Sequence, residues 1–151
     1  MATPFDSLYY YKAEIVGGME GVIDGDTFDM NIYLGFKAGL LKERIRLAHV
    51  NAYEIRKKAS TTIKMKKLGL DHENYVELGY DALCYAKECL LFNDVIIRSV
   101  EFTQYKSRGS FGRILAHVFY EKCGKWINFG DDLVKKGFAY YDEKYKPKRK
   151  K

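Results

Sequence analysis

Residues 9–50 constrain the fold more than any other part of the chain, because they alternate β-rich runs with turns. Residues 9–24 are rich in β-branched and aromatic side chains and contain three glycines, which predicts a long strand that bends or bulges. Asp24-Gly25 predicts a two-residue hairpin turn in which glycine supplies a positive φ. Residues 27–34 alternate polar and apolar side chains, and a third strand is predicted at residues 43–50. The chain therefore begins with a three-stranded meander.

Two helices and two more strands complete the predicted architecture. Apolar side chains recur at helical spacing across residues 80–92, and strands are predicted at residues 95–97 and 114–120. A short helix is predicted at residues 131–136, with Gly137 as its stop. This order predicts an α+β, mainly β fold, a five-stranded Greek-key barrel of the oligonucleotide-binding (OB) type with two or three helices.

The lysine-rich segment at residues 55–79 is long for a plain connection. The sequence leaves two interpretations open, a short helix near residues 62–68 or a mobile basic flap. We predict one domain over residues 1–143 that includes this basic insertion, followed by a basic tail at residues 144–151.

Charge is concentrated in that tail. Residues 144–151 hold six of the 26 Lys and Arg and none of the 20 Asp and Glu, so the rest of the chain is balanced. A basic arm attracts polyanions such as nucleic acid regardless of their sequence, and the alternative is a solubilising tail.

The sequence has no sign of export or membrane insertion. Residues 1–8 have neither a basic start nor an apolar run, and no stretch approaches the roughly 20 apolar residues of a spanning helix. The three cysteines, Cys84, Cys89 and Cys123, lack metal or redox spacing and are predicted to be buried reduced thiols. We predict an intracellular, cytoplasmic protein that does not bind membranes.

Acidic and basic side chains occur near the ends of the predicted strands. Asp24 and Asp26 flank Gly25, Glu54 follows the corner after the third strand, and Arg46 and Arg113 lie on different strands. Guanidinium groups can neutralise phosphate oxygens, carboxylates can hold a hard divalent cation, and a further carboxylate can take a proton from water. Together they predict a phosphodiester-cleaving centre.

Each of these residues also has a structural interpretation. The Asp-Gly-Asp segment is typical of a tight turn, the arginines of ion pairs, and a loop glutamate of a solvated side chain. The three histidines have no zinc-binding spacing, and we assign none of them a role in catalysis: His49, His72 and His117.

The ordered motifs resemble those of the staphylococcal nuclease (thermonuclease) family. Residues 23–27 match its Ile-Asp-Gly-Asp-Thr hairpin, and residues 46–54 match its Arg-Leu-x-x-(Val/Ile)-(Asp/Asn)-x-Pro-Glu segment. Residues 111–116 match its Tyr-Gly-Arg-x-Leu-Ala strand, and residues 133–139 its Leu-Val-x-x-Gly-x-Ala helix end. The match runs across most of the chain and implies an endonuclease with little sequence specificity.

The resemblance also implies a metal site. Asp26 and Asn51 would hold Ca²⁺, with Mg²⁺ as the alternative, assisted by the backbone carbonyl of Ala52. Asn51 stands where the type enzyme carries aspartate, so we expect weaker cation binding. Tyr53 replaces the family's proline, and we expect this replacement to loosen the turn that fixes Glu54.

The remaining roles follow from the same resemblance. Glu54 would activate or orient the attacking water, and Arg46 and Arg113 would stabilise the transition state. Phe111 and Tyr145 are candidate stacking platforms for bases or sugars of the nucleic acid, although ordinary packing roles are equally compatible. The expected partners are DNA and also RNA, bound by a monomer.

A rival hypothesis from another class remains open. The chain could be a catalytically weakened barrel of the same family that binds nucleic acid or protein without cutting. A third hypothesis is a ribonuclease that acts on structured RNA.

Overall fold

The computed structural model describes residues 9–55, 72–100 and 113–142. Its strands are β1 (Tyr10–Ile15), β2 (Val22–Asp24), β3 (Thr27–Gly35), β4 (Ala38–Leu47), β5 (Val50–Ala52), β6 (Val95–Ser99), β7 (Ile114–Lys122), β8 (Lys125–Asn128) and β9 (Ala139–Tyr141). The helices in these ranges are α1 (His72–Leu91), α2 (Phe129–Lys135) and a 3₁₀ turn at Gly18–Gly21.

Five strands close into a mixed barrel. They pair in the order β1-β6-β7-β4-β3, and a further pairing of β1 with β3 completes the ring. The β4–β7 pair is parallel and the other pairs of the ring are antiparallel. A separate two-stranded sheet joins β5 to β9. The predicted α+β, mainly β class and the five-stranded OB-type barrel are confirmed.

Alternate residues of the barrel strands fill the interior. Phe28 and Ile45 point inward from β3 and β4, and Val118 and Tyr120 do so from β7. Phe129 at the start of α2 packs edge-on against Phe28, with ring centroids 5.9 Å apart, and belongs to the same buried core. Each large apolar side chain that is fully buried stabilises the fold by about 1.5–3 kcal/mol.

Several predicted boundaries were wrong. Residues 9–24 form two strands separated by the 3₁₀ turn, and β4 begins at Ala38, well before the predicted residue 43. Helix α1 begins at His72, so it takes in the last eight residues of the segment predicted as an insertion. Residues 56–71, where a third helix was considered, lie outside the described ranges. Gly137 ends the last helix as predicted, with φ of 83°.

The prediction of three buried thiols was also wrong. Cys89 is buried, but Cys84 lies on the solvent face of α1 and Cys123 in the turn between β7 and β8, where both are exposed. In the described residues, no helix is both long and apolar enough to span a bilayer.

Candidate active site

The first hairpin turn is packed between a helix and a strand. Gly25 and Asp26 form the turn between β2 and β3. Gly25 does not have a positive φ, so the conformational reason given for it from sequence is wrong. Instead, a Cβ at Gly25 would lie 2.7 Å from the Cβ of Ala82 on α1 and 2.8 Å from the Cβ of Ala52 on β5. Glycine is required here because two other elements approach the turn closely.

The carboxylate of Asp26 is buried and bonded on both oxygens. Only 8% of the residue is exposed. Its Oδ1 accepts a hydrogen bond from the Thr27 hydroxyl at 3.0 Å, and its Oδ2 accepts one from the Ala52 backbone N–H at 2.9 Å. Burial and the neighbouring carboxylate of Asp24 raise the pKa of Asp26 to about 7, against the opposing attraction of Arg46. The site therefore stabilises the ionised form of Asp26 less well than water does.

Arg46 is the cation next to this carboxylate. Thr27 pairs with Arg46 across β3 and β4, which brings Arg46 Nη2 within 3.3 Å of Asp26 Oδ2. Arg46 Nη1 donates to the carbonyl oxygen of Leu47 at 2.9 Å and to that of Val50 at 2.5 Å. The side chain is 15% exposed, so its charge acts where water screens little of it.

Both ends of the Asn51 side-chain amide form hydrogen bonds at the site. Its Oδ1 accepts from Arg46 Nη2 at 2.5 Å, and its Nδ2 donates to a carboxylate oxygen of Asp142. Two of the residues that the resemblance implies as metal ligands, Asp26 and Asn51, thus direct oxygens at the same guanidinium nitrogen. In the described ranges, no three His, Cys, Asp or Glu side chains form a group that could hold a metal ion.

The oxygen atoms at the site are nevertheless of the chemical types that a hard cation binds. Carboxylate, amide and carbonyl oxygens are the ligands that Ca²⁺ takes, and the buried charge of Asp26 is one that a cation would neutralise. In the structure, the guanidinium of Arg46 contacts the side-chain oxygens of both Asp26 and Asn51 and supplies the positive charge there.

Glu54 lies at a corner that α1 holds in place. The residue is half-buried and follows β5. A Cβ at Gly79 of α1 would lie 2.8 Å from the backbone carbon and oxygen of Glu54. Tyr53 packs edge-on against Tyr75 of the same helix, with ring centroids 5.3 Å apart, and its N–H donates to the carbonyl oxygen of Phe138 at 3.3 Å. Proline has no such N–H, so Tyr53 holds the corner by contacts that proline could not make, and the expected loosening of the turn stays a prediction.

Arg113 directly precedes β7 and is half-buried. In the parallel β4–β7 pair, Ile114 lies opposite Ile45 and Leu115 opposite Arg46. The backbone of Arg113 therefore runs beside the segment of β4 that carries Arg46. The two candidate stacking residues, Phe111 and Tyr145, lie outside the described ranges, as does the basic tail.

Comparison with known sequences identifies the family. A sequence profile described as staphylococcal nuclease homologue matches residues 44–151, well over half of the chain. The chain belongs to this family. It is also 32% identical over 137 residues to the uncharacterized protein MJ1439 of Methanocaldococcus jannaschii. That alignment covers 89% of this chain and 60% of the archaeal protein, so the chain spans about 60% of the length of this relative.

Two residues of this staphylococcal nuclease homologue were missed by sequence reasoning. Gly79 fixes the distance between α1 and Glu54, and Asp142 accepts the hydrogen bond from Asn51. A glycine within a helix was an available signal, because helices disfavour glycine unless something packs closely on it. Asp142 offered no local signal, since it lies 91 positions from its partner.

Proposed function

We propose that this staphylococcal nuclease homologue is a metal-dependent endonuclease that hydrolyses phosphodiester bonds of DNA, and also of RNA, with little sequence preference. The observation that carries the proposal is the contact between Asp26 and Arg46. Asp26 also accepts a hydrogen bond from β5, the strand that leads to the Glu54 corner, and Arg46 lies on the strand that pairs with the start of β7. The nuclease-family fold provides the scaffold for this chemistry.

The arginines would stabilise negative charge. Phosphodiester hydrolysis builds charge on the non-bridging oxygens of the phosphate, and a guanidinium presents paired donors that match those oxygens. Two backbone carbonyls hold Nη1 of Arg46, and the oxygen of Asn51 accepts a hydrogen bond from Nη2. Arg113 would approach the phosphate from the neighbouring strand, and removal of such a preorganised donor typically slows catalysis about 10²–10³-fold.

Glu54 would take a proton from the attacking water or orient that water. Its backbone is held against Gly79, so its carboxylate starts from a fixed corner. Asp26 and Asn51, with the carbonyl oxygen of Ala52, would hold Ca²⁺ or Mg²⁺. When bound, the cation would polarise the phosphate and neutralise charge on it.

Substrate binding would depend on phosphates more than on base edges. Binding should therefore weaken steeply with salt, and the basic residues at 144–151 would add to this attraction. Phe111 and Tyr145 are proposed to stack on bases, which every sequence allows. We propose that the protein acts as a monomer on DNA and RNA and has no membrane partner.

Digestion of a supercoiled plasmid and a single-stranded oligonucleotide tests this function. Cleavage by the wild type is measured with Ca²⁺, Mg²⁺ or EDTA, beside Glu54→Gln and Arg113→Ala. Arg44→Ala is the matched control, because Arg44 lies on β4 two residues from Arg46 but is half-exposed and paired with Asp29 at 3.0 Å. Loss of cutting with EDTA and in the two test variants, but not in the control, supports the proposal. Cutting that is insensitive to all three changes refutes it.

One observation favours the non-catalytic alternative. Arg46 already has acceptors on both terminal nitrogens, from Leu47, Val50, Asn51 and Asp26, as a purely structural arginine would. Binding of the oligonucleotide without cleavage under any cation condition would support a module that binds nucleic acid. Equal cleavage rates on matched DNA and RNA strands would exclude a dedicated ribonuclease.

A further inference from the structure

Asp142 is linked to the candidate active site by two hydrogen bonds. It directly follows β9 and is exposed. Its backbone N–H donates to the carbonyl oxygen of His49 at 3.0 Å, which places the residue beside the corner between β4 and β5. Its carboxylate accepts a hydrogen bond from Nδ2 of Asn51. Asp142 therefore contacts the strand that carries two of the proposed site residues.

The amide of Asn51 has only one favourable orientation between its two charged neighbours. An asparagine amide has an acceptor end and a donor end. Here the oxygen faces the guanidinium of Arg46 and the NH₂ group faces the carboxylate of Asp142. A flipped amide would bring donor against donor on one side and acceptor against acceptor on the other. Asp142 thus determines which end of the amide faces the site.

We propose that Asp142 is a positioning residue that acts through Asn51 to hold the guanidinium of Arg46 in place for phosphate binding. The proposal rests on the nuclease function proposed above. It also explains the residue type at position 51, because an aspartate there would put a second carboxylate against that of Asp142. Asn51 and Asp142 are then a complementary pair, each suited to the other.

The effect on Arg46 follows from where its other bonds lie. The carbonyl oxygens of Leu47 and Val50 hold Nη1, whereas Nη2 has only Asn51 at 2.5 Å and the longer contact of 3.3 Å with Asp26 among the described residues. Without an oriented Asn51 oxygen, the guanidinium can rotate about its Nη1 bonds. Displacement of a catalytic group by about 1 Å lowers the rate of the catalysed reaction by up to about 10²-fold.

An exchange of the two side chains tests the pair. The assay uses saturating Ca²⁺, so that a carboxylate at position 51 does not change how much of the protein holds the cation. Asp142→Ala removes the acceptor, and Asn51→Asp sets two carboxylates against each other, so under this condition we expect each to slow cleavage of the oligonucleotide about tenfold. The double variant Asn51→Asp/Asp142→Asn restores one donor and one acceptor with an unchanged net charge, and we expect its rate to return to within about threefold of the wild type. Asp94→Asn, an exposed aspartate next to β6, is the control for loss of one negative charge.

A spectroscopic readout separates this proposal from the proposed function. In protein labelled with ¹⁵N-arginine, the side-chain signal of Arg46 is assigned by its absence in Arg46→Lys. We expect this signal to shift in Asp142→Ala and to return in the double variant, whether or not the protein cuts nucleic acid. A folded Asp142→Ala protein with an unchanged Arg46 signal overturns the positioning role, as does a single Asn51→Asp variant that cuts as fast as the wild type at saturating Ca²⁺. A wild type that does not cut refutes only the nuclease function.

Discussion

Replacement of Gly79 by alanine tests how α1 positions the Glu54 corner. In the exposed middle of a helix, this change stabilises a protein by about 1 kcal/mol. At Gly79, however, the new Cβ would lie 2.8 Å from the backbone carbon and oxygen of Glu54 and 3.0 Å from the nitrogen of Ile55. These are backbone atoms, so no change of side-chain rotamer relieves the contact.

The expected size follows from these distances. The helix and the corner must separate by roughly 0.5 Å to reach ordinary contact, and overpacking of this kind costs about 1–3 kcal/mol. After the gain in helix propensity is subtracted, we expect Gly79→Ala to lower the free energy of unfolding by up to about 2 kcal/mol. Because the carboxylate of Glu54 moves with its backbone, we also expect cleavage to slow about tenfold.

Urea denaturation and the oligonucleotide cleavage assay measure the two effects. Glu77→Ala, on the exposed side of the same helix, is the control for altered helix propensity. The reasoning is refuted if Gly79→Ala is more stable than the wild type and cuts at the same rate.

Three further predictions concern the buried groups near the site. Because the pKa of Asp26 rises from 3.8 unfolded to about 7 folded, its stabilising effect is complete below pH 4 and is lost as pH rises through 7. Wild-type stability should fall by at most about 4 kcal/mol over this range, and urea denaturation should show a flatter pH profile for Asp26→Asn. The buried Tyr75 hydroxyl approaches the Glu54 backbone but forms no well-aligned hydrogen bond among the described residues, so Tyr75→Phe should leave stability unchanged or raise it by up to about 1 kcal/mol, and a lower Tm contradicts this. Gly25→Ala should destabilise by about 2 kcal/mol through contacts with Ala82 and Ala52, and thermal melts of a double-mutant cycle should show that it costs less in an Ala82→Gly background than in the wild type.

The sequence was most informative where local chemistry determines structure. Alternation in residues 27–34 predicted β3, and Gly137 marked the end of α2, because both depend only on neighbouring residues. Gly25 shows the limit of such reasoning, since the turn was identified but its cause lay in Ala52 and Ala82, which are distant in sequence. The start of α1 was missed because Gly79 argues against a helix on propensity alone, whereas its packing on the Glu54 corner favours glycine.

The candidate site shows the same division. Motifs on separate strands directed attention to Asp26 and Arg46, and the pairing of β3 with β4 brings them together. The bond between Asn51 and Asp142 depends on the register of β5 against β9, which a single sequence does not determine. The orientation of the Asn51 amide therefore required the structure.

The pairing of β5 with β9 has a consequence for synthesis of the protein on the ribosome. Asn51 and Ala52 belong to a strand whose sheet partner is made much later, and the bond of Asn51 to Asp142 joins positions 91 residues apart. A nascent chain that has not yet exposed β9 cannot complete this side of the candidate active site. The two-stranded sheet beside the Asp26–Arg46 contact therefore forms only late in translation.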